Sequence, residues 1–156
     1  LKPDYAEAYY NLGVTLRELG QIDSALKSYE KALAIKHEYP GAHNNIGTIL
    51  LDLGSLDSAV DHFEWAIAFK PEYAEAHNNL GVIERHQEKF DQAIKSFEKA
   101  IDIQADYLQA HSNLGDTLQD IGQLDAAMTS YENALAINPD YSEALKGVQR
   151  LLKKST

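Results

Sequence analysis

The sequence predicts an all-α protein, a solenoid of helix-turn-helix repeats, and two observations carry this prediction. Asn-Leu-Gly or Asn-Ile-Gly triplets recur with a period of 34 residues, beginning at Asn11, Asn45, Asn79 and Asn113. Within each period, apolar and small residues recur at intervals of three and four, the spacing of one face of a helix. A strict period of this length indicates copies of one supersecondary unit, each packed against its neighbours.

Each period is predicted to form a hairpin of two helices. In the first, Tyr9, Leu12, Leu16 and Leu19 share one helical face, Gly20 marks a turn, and a second helix follows. The pattern predicts a single array made of the tail of a preceding repeat, four repeats and a capping helix. These parts span 1–5, 6–39, 40–73, 74–107, 108–141 and 142–156.

The two ends of the array are predicted to differ. The opening residues match the ends of later repeats, so the sequence is interpreted as a piece of a longer array whose first unit is uncovered. The last helix is predicted to be a cap, because an apolar face is followed by lysines. That apolar face consists of Ala144, Leu145, Val148, Leu151 and Leu152.

Small and aromatic residues recur at fixed positions in the repeats. Glycine and alanine allow two helices to approach closely, and an aromatic ring fills the space between units. These positions are Gly13, Gly47, Gly81 and Gly115; Ala25, Ala59, Ala93 and Ala127; Ala32, Ala66, Ala100 and Ala134; and Tyr29, Phe63, Phe97 and Tyr131. The pattern resembles the tetratricopeptide repeat, and the resemblance covers essentially the whole chain. It implies a right-handed superhelical solenoid.

Several positions depart from the tetratricopeptide pattern. The third repeat carries Glu84 at an apolar position and Glu88 in place of the turn glycine, so it is predicted to be the least regular. His43, His77 and His111 replace the first aromatic residue. Successive repeats place them about 10 Å apart, whereas zinc needs its ligands about 2 Å away. They are therefore interpreted as inward-facing side chains, and no metal or other cofactor is predicted.

The polar side of the first helices is predicted to line one continuous groove on the inner curve of the superhelix. The asparagine column that starts at Asn11 lies in this stripe, and Tyr10, Asn44 and Asn78 flank it. The stripe consists of Glu7, Asn11, Val14 and Glu18; Gly41, Asn45, Thr48 and Asp52; Glu75, Asn79, Val82 and His86; and Gln109, Asn113, Asp116 and Asp120. The residues predicted to contact a peptide in the groove are Asn11, Asn45, Asn79, Asn113, Tyr10, Asn44, Asn78, Asp52, Asp116, Lys146 and Arg150.

The asparagine column has two interpretations. A side-chain amide offers two donors and a carbonyl acceptor, the complement of a peptide group. Four amides spaced one repeat apart would therefore hold an extended peptide without reading its sequence. This column resembles the asparagine ladder in the repeat region of O-linked N-acetylglucosamine transferases. In the alternative interpretation, the asparagines tie neighbouring helices together.

Charge indicates the kind of partner. The chain has 14 Lys and Arg against 24 Asp and Glu, a formal net charge of −10, and several of the acids face the predicted groove. This favours a neutral or basic peptide and argues against nucleic acid. No apolar run approaches the roughly 20 residues that span a bilayer, so membrane insertion is not predicted.

The sequence contains some, but not all, of the residues that a second binding mode requires. Tetratricopeptide repeats that bind the acidic C-terminal tails of heat-shock chaperones use a carboxylate clamp, which consists of lysines, asparagines and an arginine. Asn113, Lys146 and Arg150 occupy the later places of that clamp, but Asn78 and Val82 stand where its leading lysine and asparagine belong.

No catalytic constellation is found. The sequence has no phosphate-binding glycine-rich loop, zinc-binding helix motif or nucleophile turn, so the chain is predicted not to be an enzyme. The predicted function is a protein-interaction scaffold that binds an extended peptide. The alternatives are the substrate-recruiting region of a larger enzyme, such as a glycosyltransferase, and a homo-oligomer assembled through open repeat ends. Trp65, with His62 and Phe69, is a further candidate contact patch.

Overall fold

The computed structural model describes the backbone of residues 4–154 and the side chains of residues 5–153. Every regular element in this range is an α-helix, so the all-α class and the helix-turn-helix repeat are confirmed. The helices are α1 Asp4–Glu18, α2 Ile22–Ile35, α3 Pro40–Asp52, α4 Leu56–Phe69, α5 Ala74–His86, α6 Phe90–Ile103, α7 Leu108–Asp120, α8 Leu124–Ile137 and α9 Ser142–Lys154. None of these described helices is long and apolar enough to cross a membrane.

The helices belong to two compact units, one ending at Ala76 and the other beginning at His77. The predicted single array, its repeat boundaries and its right-handed superhelix stay predictions. Residues 1–3 of the predicted repeat tail and residues 155 and 156 of the predicted capping helix lie outside the described residues.

In the first unit, α1 packs on α2, α2 on α3, and α3 on α4. The glycine and aromatic positions of the repeat face each other across each hairpin. A Cβ atom added to Gly13 would lie 2.6 Å from the Tyr29 ring, and one added to Gly47 would lie 2.8 Å from the Phe63 ring. Both rings are fully buried. The close approach that the sequence predicts for these small residues is therefore present.

Two leucines of the predicted inward face of α1 are exposed instead. Leu12 is 47% exposed, whereas Ile46 at the same repeat position is 4% exposed. Ile46 is covered because it belongs to a core cluster with Ala25 and Tyr29 of α2. Leu19 is exposed because it follows the end of α1 and lies in the turn.

In the second unit, Tyr131 of α8 is the centre of the packing. Its buried ring lies against Gly115 of α7 and against Gly147 of α9. The last helix packs on α7 and α8, with Ala144, Leu151 and Val148 in the core cluster. Leu145 and Leu152 are exposed, so the predicted apolar face of this helix is only partly covered.

The turn of the third hairpin keeps the backbone conformation of the other turns, and the lower regularity of this repeat stays a prediction. Glu88 has a φ angle of 58°, the same left-handed conformation as the turn residues Gly20, Gly54 and Gly122, whose φ angles are 73°, 77° and 79°. Glu84 is accommodated because its Oε2 accepts a 2.6 Å hydrogen bond from the Ser96 hydroxyl on α6. The backbone strain is therefore concentrated at a single turn residue.

Glu88→Gly is expected to raise the free energy of unfolding by about 1 kcal/mol, because the left-handed conformation is costly for a residue with a Cβ atom. Urea denaturation measures the change. Gly122→Ala is the matched control, since Gly122 has a positive φ and nothing lies within 4 Å of an added Cβ. This control should lose about as much stability as Glu88→Gly gains. Stabilisation by both substitutions would contradict the argument.

Candidate peptide-binding clefts

The first unit has a cleft between its first helices. Its volume is about 390 Å³, and its lining consists of Tyr10, Val14, Arg17, Glu18, Tyr29 and Asn45. Three of these residues, Val14, Glu18 and Asn45, belong to the polar stripe that the sequence predicts. The structure therefore brings stripe residues of α1 and α3 together in this unit.

A cleft of about 630 Å³ lies in the second unit. Its lining is Val82, Arg85, His86, Glu88, Phe90, Phe97, Asn113 and Asp120. Phe90 and Phe97 of α6 contribute to this lining, together with residues of α5 and α7. Four lining residues belong to the predicted stripe: Val82, His86, Asn113 and Asp120.

The two clefts are built from the same repeat positions. Five lining residues of the first cleft have counterparts 68 residues later in the second, a distance of two repeats. Four of the five pairs keep the chemistry of the side chain: two valines, two arginines, two aromatic rings and two asparagines. The pairs are Val14 and Val82, Arg17 and Arg85, Glu18 and His86, Tyr29 and Phe97, and Asn45 and Asn113.

The asparagine of the first cleft is bonded within the fold. The Asn45 amide donates to the Tyr29 hydroxyl at 3.2 Å and to the Tyr10 hydroxyl at 3.4 Å. Tyr10 also stacks on Tyr39 with ring centroids 4.9 Å apart. These two bonds use the hydrogens of the Asn45 amide. Asn11 is exposed on α1.

In the second cleft the asparagine bonds change because Phe97 has no hydroxyl. The Asn113 amide donates to the Asn78 carbonyl oxygen at 2.9 Å, and Asn78 donates to Asn79 at 3.5 Å. The bonds of Asn45 and Asn113 are those expected if asparagines tie neighbouring helices together. Peptide contact by this column stays a prediction.

Two residues predicted to flank an open groove are buried. Asn44 is 0% exposed and Asn78 is 5% exposed. Their repeat position faces a neighbouring helix, as the bond from Asn113 to Asn78 shows. The predicted accessible flank is therefore wrong at these two residues, whereas Tyr10 at the same position of α1 lines the first cleft.

Two arginines and two acids form a network on the second unit. Arg85 donates through Nε to Asp120 at 2.7 Å and through Nη1 to Asp116 at 3.5 Å. Asp116 also accepts a 2.6 Å bond from the Tyr131 hydroxyl and pairs with Arg150. Burial and this carboxylate raise the pKa of Tyr131 above its usual range.

The network changes the expected charge of the second cleft. Asp116 and Asp120 were predicted to leave the groove acidic, but each lies beside a guanidinium. Arg150, the predicted clamp residue, is held by Asp116, while Lys146 is exposed on the same helix. In the first unit, Asp52 is exposed at the end of α3. The acidic character therefore belongs mainly to the first unit.

Sequence reasoning missed this network, although its signal is present. Side chains on successive first helices meet at a spacing of one repeat plus one residue, as Asn45 and Tyr10, Asn113 and Asn78, and Arg85 and Asp120 do. Searching for complementary side chains at a separation of 35 residues would have found all three pairs.

The histidines have the inward positions that the sequence predicts at two of three sites. His43 and His111 are buried. Each lies near a carbonyl oxygen six residues earlier, His43 Nε2 at 3.2 Å from His37 and His111 Nε2 at 2.9 Å from Ala105. His77 is half-buried. Among the described residues, no group of three or more His, Cys, Asp or Glu side chains is arranged to hold a metal ion.

Comparison with known proteins identifies the family. The tetratricopeptide repeat model matches residues 4–72 and 72–140. The chain belongs to the tetratricopeptide repeat family. A comparison with curated proteins gives no match.

Solved tetratricopeptide structures resemble the chain along most of its length. MamA is 22% identical with a TM-score of 0.78, over 98% of this chain and 93% of MamA. YrrB is described as a tetratricopeptide protein with an unusual peptide-binding site. It is 21% identical with a TM-score of 0.76, and the match covers 94% of this chain and 76% of YrrB. A thermophilic tetratricopeptide protein from Thermus thermophilus is 25% identical with a TM-score of 0.78, and the match covers 96% of this chain and 82% of that protein. At these identities the likeness supports the fold.

Proposed function

We propose that this tetratricopeptide chain binds an extended peptide segment of another protein in its first-helix clefts. Tetratricopeptide repeats form protein-interaction scaffolds, and the finer assignment rests on one observation. An arginine, an asparagine, a valine and an aromatic ring line a cleft in each unit at equivalent positions. The valine offers apolar contact, and the asparagine and arginine carry groups that hydrogen-bond to peptide groups. The aromatic ring is itself fully buried and supports this lining.

A neutral or basic peptide fits the charges best. In the first unit, Glu18 and Arg17 both line the cleft, and Glu7 and Asp52, exposed on α1 and α3, leave an excess of acids. In the second unit, arginines balance the acids. Attraction of a basic segment is therefore carried by the first unit, and it acts mainly on the rate of encounter. We assign the chain no catalytic role of its own.

The double variant Asn45→Ala with Asn113→Ala tests the clefts. A peptide selected on an array by the unmodified chain is expected to bind it about 10-fold more weakly, because each lost hydrogen bond contributes about 0.5–1.5 kcal/mol. Fluorescence anisotropy with the labelled peptide measures the affinity. Circular dichroism checks that helicity is kept, since Asn45 also bonds Tyr29 and Tyr10.

Asn133→Ala is the matched control for the cleft variants. This asparagine is exposed on α8 and lies in neither cleft lining, so its removal should leave the affinity unchanged. Equal affinities of the double variant and this control would overturn the proposal.

Self-association is a second candidate, favoured by the exposure of Leu12. The equivalent residue Ile46 is buried against α2, so the front of α1 is an apolar face of the kind that another helix covers. Sedimentation velocity over a range of loading concentrations separates this alternative from a monomeric scaffold. The role of a substrate-recruiting region in a larger enzyme, such as a glycosyltransferase, is supported only by the asparagine column.

A further inference from the structure

Two histidines of the first unit meet across the second hairpin. His43 Nδ1 on α3 lies 3.1 Å from His62 Nδ1 on α4, and the ring centroids are 5.3 Å apart. His43 is 4% exposed. At this distance one Nδ1 atom donates a hydrogen and the other accepts it.

The surroundings determine which ring donates. The other nitrogen of His43, Nε2, lies 3.2 Å from the His37 carbonyl oxygen. A carbonyl oxygen only accepts, so Nε2 of His43 carries the hydrogen and its Nδ1 is the acceptor when the ring is neutral. His62 is therefore the donor through its Nδ1–H.

This pair is particular to the second repeat. Serine occupies the repeat position of His62 elsewhere, at residues Ser28, Ser96 and Ser130. Ser28 and Ser130 donate to carbonyl oxygens of their own helices at 2.9 Å and 3.0 Å. His111 keeps the carbonyl contact of His43, but its hairpin offers Ser130 in place of a second imidazole. Only the second hairpin therefore combines the two rings.

The pair can accept one proton but not two in this geometry. A single added proton still leaves one N–H and one lone pair between the rings. A second proton places two N–H groups and two positive charges against each other in a partly desolvated site. Asp61 beside His62 favours its protonation, and His37 in the turn after α2 adds like charge when it is protonated.

We infer that His43 and His62 form a pH-sensitive clasp that holds α3 against α4 and opens when both rings are protonated. The clasp rests on the short Nδ1 contact, the fixed tautomer of His43 and the serine found at the other three repeats. Burial also favours the unprotonated rings, because it lowers the pKa of both histidines below the usual 6.5.

The sign of the pH dependence follows from this lowering. Between the folded and unfolded pKa values, the unfolded chain binds more protons than the folded one. Stability therefore rises with pH in that interval. The contribution of the clasp is complete above about pH 6.5 and is lost progressively as the pH falls.

The clasp is connected to the cleft of the first unit through α3, which carries Asn45. A consequence that rests on the proposed function is weaker peptide binding by this cleft below about pH 6.5. Opening of the clasp itself is measured without any peptide, so a failure of peptide binding and a failure of the clasp are distinguishable.

The test uses Trp65, the only tryptophan of the chain. Its ring stacks on His43 with centroids 6.4 Å apart and meets the His37 ring edge-on at 5.8 Å, so tryptophan emission responds to both histidines and comparison with a variant that lacks His62 isolates the part due to the clasp. Lowering the pH from 8 to 5 in the intact chain is expected to change the emission. The melting temperature is expected to fall by an amount on the order of 2–4 °C beyond that of His62→Ser.

His62→Ser is the decisive variant, because it introduces the residue that the other repeats carry and should fold. It is expected to lose the part of the acid-dependent change that the clasp contributes, in both measurements, whereas His111→Gln should keep the whole change. The same change in His62→Ser as in the unmodified chain would overturn the clasp. Nitrogen NMR of the unmodified chain at pH 8 gives a second check: a His43 ring protonated at Nδ1 would also overturn it.

Discussion

Replacing Phe97 with alanine is expected to lower the free energy of unfolding by about 3–5 kcal/mol. The ring is fully buried and lies against Gly81, where an added Cβ atom would be 2.8 Å from it. The loss is large because alanine leaves a cavity where the buried ring had been. Urea denaturation of the intact chain measures the loss.

The pairing of Gly81 with Phe97 can be separated from simple burial. Gly81→Ala alone is expected to cost about 1–3 kcal/mol by overpacking, despite the better helix propensity of alanine. In the Phe97→Ala background the same change should cost little or become stabilising, since the new methyl group enters the vacated space. Additive losses in the double variant would show that the two positions do not share one contact.

Gly41→Ala is the matched control for these glycine substitutions. Its Cβ would lie 3.2–3.3 Å from the half-buried Tyr10 side chain, a milder contact than the 2.8 Å approach at Gly81. A change smaller than about 1 kcal/mol is expected there.

Asp116→Ala is expected to destabilise the chain by about 1–3 kcal/mol, because hydrogen bonds to charged groups are among the stronger ones. The substitution removes the acceptor of the Tyr131 hydroxyl and the partner of Arg85 and Arg150. Both arginines are partly exposed, so water offsets part of the loss. Thermal and urea denaturation at low and high salt measure the effect and its screening.

Asp120→Ala isolates the ordinary surface pair in the same network. Asp120 contacts only the Arg85 guanidinium among the bonds that define the network, and such exposed pairs contribute about 0–1 kcal/mol. In a Tyr131→Phe background, the cost of Asp116→Ala should shrink because the hydroxyl no longer needs an acceptor. An equal cost in both backgrounds would assign the role of Asp116 to the arginines alone.

The pattern of residues within one repeat was sufficient to predict the helical hairpins and the close contacts inside them. The positions of Gly81 and Phe97 were predicted to bring two helices together, and an added Cβ at Gly81 would clash with the Phe97 ring. The inward interpretation of His43 and His111 was also correct. These properties follow from residues a few positions apart, because helix period and side-chain size act over one hairpin.

The pattern within one repeat was insufficient to predict burial and pairing wherever a side chain contacts a neighbouring repeat. Asn44 and Asn78 have the polar composition of a surface, but a neighbouring helix buries them. Asp116 was counted as a groove charge, although Arg150 pairs with it across one repeat. Glu88 looked like a break in the pattern, yet the chain accepts its positive φ to keep the turn.

By itself, the sequence determined the family, the all-α class and the positions of close packing, because these depend on a period of 34 residues that every copy repeats. The tertiary structure alone decided which polar side chains remain accessible and which are paired. Asn45 with the tyrosines and Arg85 with the aspartates are contacts between successive repeats. Their partners depend on how neighbouring helices face each other, which a single repeat does not encode.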